Sequence, residues 1–71
     1  MAAEMTYEII QNLGVITSDG KWKKELNIVK WGDNEPKFDI RSWNEDHSRS
    51  GKGITLSAEE IQNLKDLLNS I

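Results

Sequence analysis

The sequence predicts an α+β fold in which four antiparallel strands precede one C-terminal helix (ββββα), within a single domain over residues 1–71. Three observations predict it. Apolar and polar residues alternate with the period of a strand through the middle of the chain. The alternating runs are separated by short clusters of Gly, Asp, Asn and Pro. A helix-start signal and an apolar stripe at helical spacing come only after the last of these runs. Strands first and a helix last is the order of an α+β domain rather than of repeating βαβ units. No internal repeat, linker or low-complexity tract divides the chain.

The first strand is Tyr7 to Thr17, rich in the β-formers Tyr7, Ile9, Ile10, Val15 and Ile16, with a bulge or bend expected at Gly14. Ser18-Asp19-Gly20-Lys21 is a turn, since Asp tolerates the tight backbone and Gly supplies positive φ. The second strand is Trp22 to Trp31. Alternation places Trp22, Lys24, Leu26, Ile28 and Lys30 on one face and Lys23, Glu25, Asn27, Val29 and Trp31 on the other, with Leu26 and Ile28 expected in the core. Gly32 to Pro36 forms the next turn, closed by a proline that a central strand does not accept. In Lys37 to Trp43, Phe38 and Ile40 point one way and Lys37, Asp39, Arg41 and Trp43 the other. Asn44 to Lys52 is polar and reads as a mobile loop; Gly53 to Leu56 is a short fourth strand. Ser57 and Glu60 form a capping box, and the helix runs to about Asn69 with Ile61, Leu64, Leu67, Leu68 and Ile71 on one stripe.

The bulk properties narrow the function. A 71-residue chain has a small core of its own and is usually supplemented by disulfides, a metal or an oligomer. With no cysteine and a single histidine, His47, the oligomer is the expected supplement and no metal or small-molecule cofactor is expected. The Met1-to-Tyr7 stretch does not have the pattern of a signal peptide, and no run is apolar enough for a membrane span, so a cytoplasmic protein without membrane contact is expected. The net charge is −3, yet the chain is segregated: residues 20–53 hold eight of the nine bases against six of the twelve acids. A local basic face matters more for binding than the total.

The chemistry lies on the face that carries Lys23, Trp31, Lys37, Arg41 and Trp43. Large aromatics with interleaved cations on a solvated sheet face suit single-stranded nucleic acid, because unstacked bases lie on rings while Lys and Arg follow the phosphates. Ordinary readings stand beside this one. Trp31 and Trp43 equally suit the core or a dimer interface. Trp22, in register with Leu26 and Ile28, reads as structural, the lysines suit a plain solvated face, and Arg41 can pair with an acid such as Glu25. Catalysis is not expected: His47 has Asp46 beside it but no Cys or activated Ser, and the adjacent acids Glu45 and Asp46 point apart. A protein-interaction or assembly module, using the helix stripe, and an RNA-binding chaperone on the same sheet face are the alternatives.

The run Pro36-Lys37-Phe38-Asp39-Ile40-Arg41-Ser42-Trp43, followed by Gly51-Lys52-Gly53-Ile54-Thr55-Leu56-Ser57, resembles the transcriptional coactivators of the positive-cofactor-four type, and within them the small bacterial YdbC-like proteins. The resemblance spans nearly the whole chain. It implies a curved four-stranded sheet with a C-terminal helix, a homodimer, and single-stranded DNA bound with little sequence specificity. It implies nucleic-acid contacts at Arg41, Trp43, Trp31, Lys37 and Lys52, and less directly at Lys23, Lys24 and Lys30. The eukaryotic coactivators carry a serine- and acid-rich regulatory tail that has no counterpart in these residues, so general single-strand binding in replication, repair or transcription is the expected role.

Overall fold

The computed structural model describes residues 6–71. The Met1–Met5 segment, on which the expectation about a signal peptide largely rests, lies outside the described residues. The elements are β1 (Tyr7–Asp19), β2 (Trp22–Trp31), β3 (Lys37–Trp43), β4 (Ser50–Leu56) and α1 (Ala58–Asn69). The strands form one antiparallel sheet in the order β1-β2-β3-β4, followed by the helix, which is the expected ββββα architecture. Gly20 and Gly32 adopt φ values of 62° and 56° in the two tight connections, a region that glycine enters at no steric cost. No helix among the described residues is long and apolar enough to cross a membrane.

Two boundaries move. β1 continues to Asp19, because its end is paired with Trp22 across the turn. β4 starts at Ser50 rather than Gly53: the Gly-Lys-Gly segment that reads locally as loop is drawn into the ladder by pairing with β3. The Asn44–Lys52 loop expected from its polarity therefore shrinks to a short turn.

The sheet is strongly curled. Trp43 pairs with Lys23 at one end of β2, while Trp31 lies at the other end, about 26 Å away along a flat strand. Yet the two indole centroids are 6.3 Å apart, so the face that carries both rings must be concave. Three register shifts in β1, at Ile9/Gln11, Asn12/Gly14 and Val15/Thr17, supply part of this bend, since each bulge adds twist to the strand that holds it.

Curling decides where the core sits, and here the structure corrects the sequence reading. The most buried residues, Val29, Trp43, Asn27, Asp39 and Glu25, all lie on the concave face. Leu26 and Ile28, expected in the core, are only half-buried on the convex face, as are Phe38 and Ile40 beside them. Trp22, expected to be structural, is 40% exposed. Helix α1 lies over the convex face, its N-terminus fixed by Ser57: the Glu60 N–H donates to the Ser57 hydroxyl (3.1 Å) and the Ser57 N–H donates to the Glu60 carboxylate (2.8 Å). No helical residue is buried. Between helix and sheet an apolar cavity of about 670 Å³ opens, lined by Leu26, Phe38, Ile40, Ile61, Leu64 and Leu68 among others.

Gly53 is where β4 comes closest to β3. A Cβ there would overlap the Cβ of Arg41 and the carbonyl oxygen of Ile40, and would lie 2.8 Å from the Arg41 Cα. Backbone and a Cβ cannot yield as a flexible side-chain end does, so Gly53→Ala should destabilise the chain by about 1–3 kcal/mol through overpacking. Urea unfolding followed by circular dichroism measures this, and an unchanged midpoint would show that β4 can shift freely against β3.

Candidate functional site

Four rings meet on the concave face. Register sets Tyr7 opposite Trp31 across β1 and β2, with ring centroids 5.5 Å apart. The curl adds Trp43, 5.3 Å from Tyr7 and nearly parallel to Trp31 at 12°. The turn after β3 brings in His47, whose ring lies 5.6 Å from that of Trp43 at 44°. Trp43 is wholly buried beneath these neighbours, so of the two readings open for it the core one holds and the solvated-face one does not. Trp31 is half-buried and stays at the rim. The indole N–H groups of both tryptophans are buried without a hydrogen-bond partner.

Beside the rings runs a polar network. Glu25 is 3% exposed, and its Oε1 accepts from Asn12 Nδ2 (3.1 Å), Asn27 Nδ2 (3.1 Å) and His47 Nε2 (2.9 Å). His47 Nε2 is also 3.1 Å from Oε2. An ionised carboxylate only accepts, so this imidazole nitrogen carries the proton. Asn12 Nδ2 also donates to Asn27 Oδ1 (2.7 Å), and the Tyr7 hydroxyl donates to the His47 carbonyl. Burial pushes the Glu25 carboxyl up. The hydrogen bonds from His47 and Asn27 and the charges of His47 and Lys23 outweigh that, and leave it below the ordinary value of 4.5.

Arg41 sits between the two faces of this chemistry. Its register partner is Glu25, but its ion pair is with Asp39 on its own strand, Nε to Oδ1 at 2.6 Å. Asp39 is fully buried and also accepts from the Thr55 hydroxyl at 3.1 Å. The Arg41 guanidinium carbon stands 4.6 Å from the centroid of the Trp31 ring, a cation–π contact. Trp31, Lys37, Arg41, Thr55, Asn34 and Glu35 line an open cavity of about 300 Å³ at this spot.

Of the residues singled out from sequence, the fold thus joins Trp31, Lys37 and Arg41 around one opening and puts Trp43 directly behind them. Lys23 is exposed on the same face of β2, near the Trp43 end. Lys30 alternates to the convex side, where its amine donates to the Gly32 carbonyl (3.0 Å). Lys52 is exposed on β4, at the register shift between the Trp43 and Arg41 pairings. Lys24 is exposed and shares the parity of Lys30. Sequence reasoning missed Tyr7, His47, Glu25, Asn12 and Asn27. Tyr7 was within reach, since the hairpin register places it opposite Trp31; the others depend on the curl.

The chain matches the family model described as Transcriptional Coactivator p15 (PC4) over residues 18–67, which takes in β2 to β4 and most of α1. It is also similar to an uncharacterized protein of Treponema pallidum (strain Nichols), 44% identical over 66 residues that cover 92% of this chain and 78% of that relative.

The lowered Glu25 carboxyl has a consequence for stability. A depressed folded-state value contributes stability that is present above the unfolded value, about 4.5 here, and is lost as pH falls through the folded one. Unfolding free energies measured from pH 7 down to pH 3 should therefore fall more steeply for the wild type than for Glu25→Gln below about pH 4.5. Parallel curves would show that the carboxylate is not held by its three donors.

Proposed function

We propose that this chain, which belongs to the Transcriptional Coactivator p15 (PC4) family, binds single-stranded DNA with little sequence specificity on the concave face of its sheet and acts as a homodimer. Membership of that family supports nucleic-acid binding of a coactivator-like kind in general. The observation that carries the finer reading is the rim of the concave face, where Arg41 lies over Trp31 beside an open cavity that Lys37 also lines. A base has a π-face for the indole, and a phosphate has charge for Lys37 and the guanidinium. A duplex presents no free base face, so single strands are preferred, and stacking does not distinguish sequences. Lys23 and Lys52, exposed at the other end of β2 and on β4, extend the path for the phosphates. Lys30 faces away and has a smaller part, through charge alone. Binding of this kind serves transcription, replication or repair.

The homodimer is supported by the convex face. Half-buried apolar side chains of sheet and helix face a cavity that the single chain leaves open, while Leu67 and Leu68 are 66% and 56% exposed. A second copy presenting the same face would bury both apolar surfaces in an isologous contact.

Titration of the protein with oligo-dT of about 20 nucleotides, and with a duplex of equal length, tests the binding reading by tryptophan fluorescence. Trp31→Ala should weaken oligo-dT binding about five- to 150-fold, the loss of one stacked base. Lys37→Ala should lower the slope of log affinity against log salt by about 0.7, the loss of one phosphate contact. If duplex and single strand bind alike and Trp31→Ala changes nothing, the face acts through charge and the stacking reading is wrong.

Sedimentation should find a species of twice 8.1 kDa. Leu64→Glu with Leu68→Glu should return it to a single chain. A wild-type protein of 8.1 kDa at micromolar concentration would overturn the dimer.

A further inference from the structure

The turn between β3 and β4 covers the one aromatic ring that the binding face hides. We propose that this turn, Asn44 to Arg49, is a lid, and that His47 holds the place of a nucleic-acid base against Trp43 until a strand displaces it. The proposal rests on the single-strand reading and adds a competition within the protein to it.

Trp43 supplies the first reason. It is wholly buried, yet its indole N–H has no partner, and neither has that of Trp31 beside it. Buried indole N–H groups ordinarily find an acceptor. Two orphaned donors on nearly parallel rings mark a place where a ligand oxygen completes the structure. Bases and phosphates both carry such oxygens.

His47 supplies the second. Its planar ring lies 5.6 Å from that of Trp43 at 44°, and its side chain is 37% exposed where Trp43 is wholly buried, so the imidazole is the solvent-accessible neighbour of the hidden indole. It reaches this position only with φ at 61°, a backbone region that residues other than glycine rarely adopt. The fold holds a strained residue in place to close the face.

The construction of the turn supplies the third. It is a self-contained unit. Asn44 N–H donates to the Arg49 carbonyl (3.1 Å), Arg49 N–H donates to Asn44 Oδ1 (2.9 Å), and Asp46 accepts from both the N–H and the hydroxyl of Ser48. Its hydrogen bonds to the other strands, among the described residues, are the two made by His47: the imidazole to Glu25 and the carbonyl from Tyr7. Release of the lid therefore breaks no strand pairing. It also does not orphan Glu25, which keeps the amides of Asn12 and Asn27.

The test compares the full-length wild type with His47→Ala and Glu25→Gln in two measurements. The first is affinity for oligo-dT. If His47 competes with a base, His47→Ala should bind about three- to tenfold tighter, because the open state no longer has to be recovered from a closed one. Glu25→Gln, which loosens the latch without removing the ring, should move the same way by less. The second is acrylamide quenching of Trp43 alone, in a Trp22→Phe, Trp31→Phe background: shielded with His47 present, accessible in His47→Ala. Weaker or unchanged oligo-dT binding by His47→Ala overturns the lid, as does equal shielding of Trp43 in both proteins. Should His47→Ala fail to fold, Glu25→Gln carries both measurements. A wild type that does not bind oligo-dT would instead defeat the single-strand reading, an outcome visible before any variant is compared.

Discussion

The curl of the sheet governs everything else in this molecule. A flat four-stranded sheet would hold Trp31 and Trp43 far apart and leave Glu25 in water. Bent by the bulges of β1, the sheet folds its own concave face closed, and two tryptophans from opposite ends of β2 and β3 come to lie side by side. No helix is needed to cover this face. The rim strand and a short turn suffice, because Tyr7 and His47 fill what the tryptophans leave.

That arrangement explains the unusual composition of the core. A core built on the convex side would hold Leu26, Ile28, Phe38 and Ile40; the one formed holds Val29 and Trp43 with Asn27, Asp39 and Glu25. Buried carboxylates are tolerated only when paired, and both of these are: Asp39 by Arg41 and Thr55, Glu25 by His47 and two amides. One of these pairs also orients a side chain of the proposed site. Asp39 holds Arg41 in its place over Trp31, so the same carboxylate that would be costly if left alone fixes a cation beside the open cavity. The convex side, relieved of the core, stays apolar and half-open beneath α1.

The order of elements was legible in the sequence because each depends on local chemistry: alternation for the strands, glycine for the turns, the Ser57–Glu60 box for the helix. Membership of one face was legible too, since parity alone puts Trp31, Lys37, Arg41 and Trp43 together. Which face would close was not legible. Alternation is blind to curvature, so Leu26 and Ile28 looked like core and Trp43 suited core and surface alike. The same blindness hid His47. Nothing in Asn44 to Arg49 announces that a histidine will take a left-handed backbone and reach Glu25, twenty-two positions earlier in the chain. Gly53 was read as a boundary, whereas the close approach of β3 is what requires it.

On the proposed single-strand reading, core and binding face are the same surface, which couples stability to recognition. In most sheet proteins the buried side supplies stability and the wet side is free to bind. Here Trp31 and Trp43 pack together on the concave face, and they are also the rings that the proposal assigns to bases. Under that proposal, a nucleic-acid strand that reaches Trp43 replaces contacts the protein makes with itself, so part of its stacking energy goes to that exchange. In return, a free protein with its rings packed inward exposes less aromatic surface, which limits unwanted association. A small chain has little surface to divide between the two tasks, and on the proposed reading the curl gives both to one set of residues.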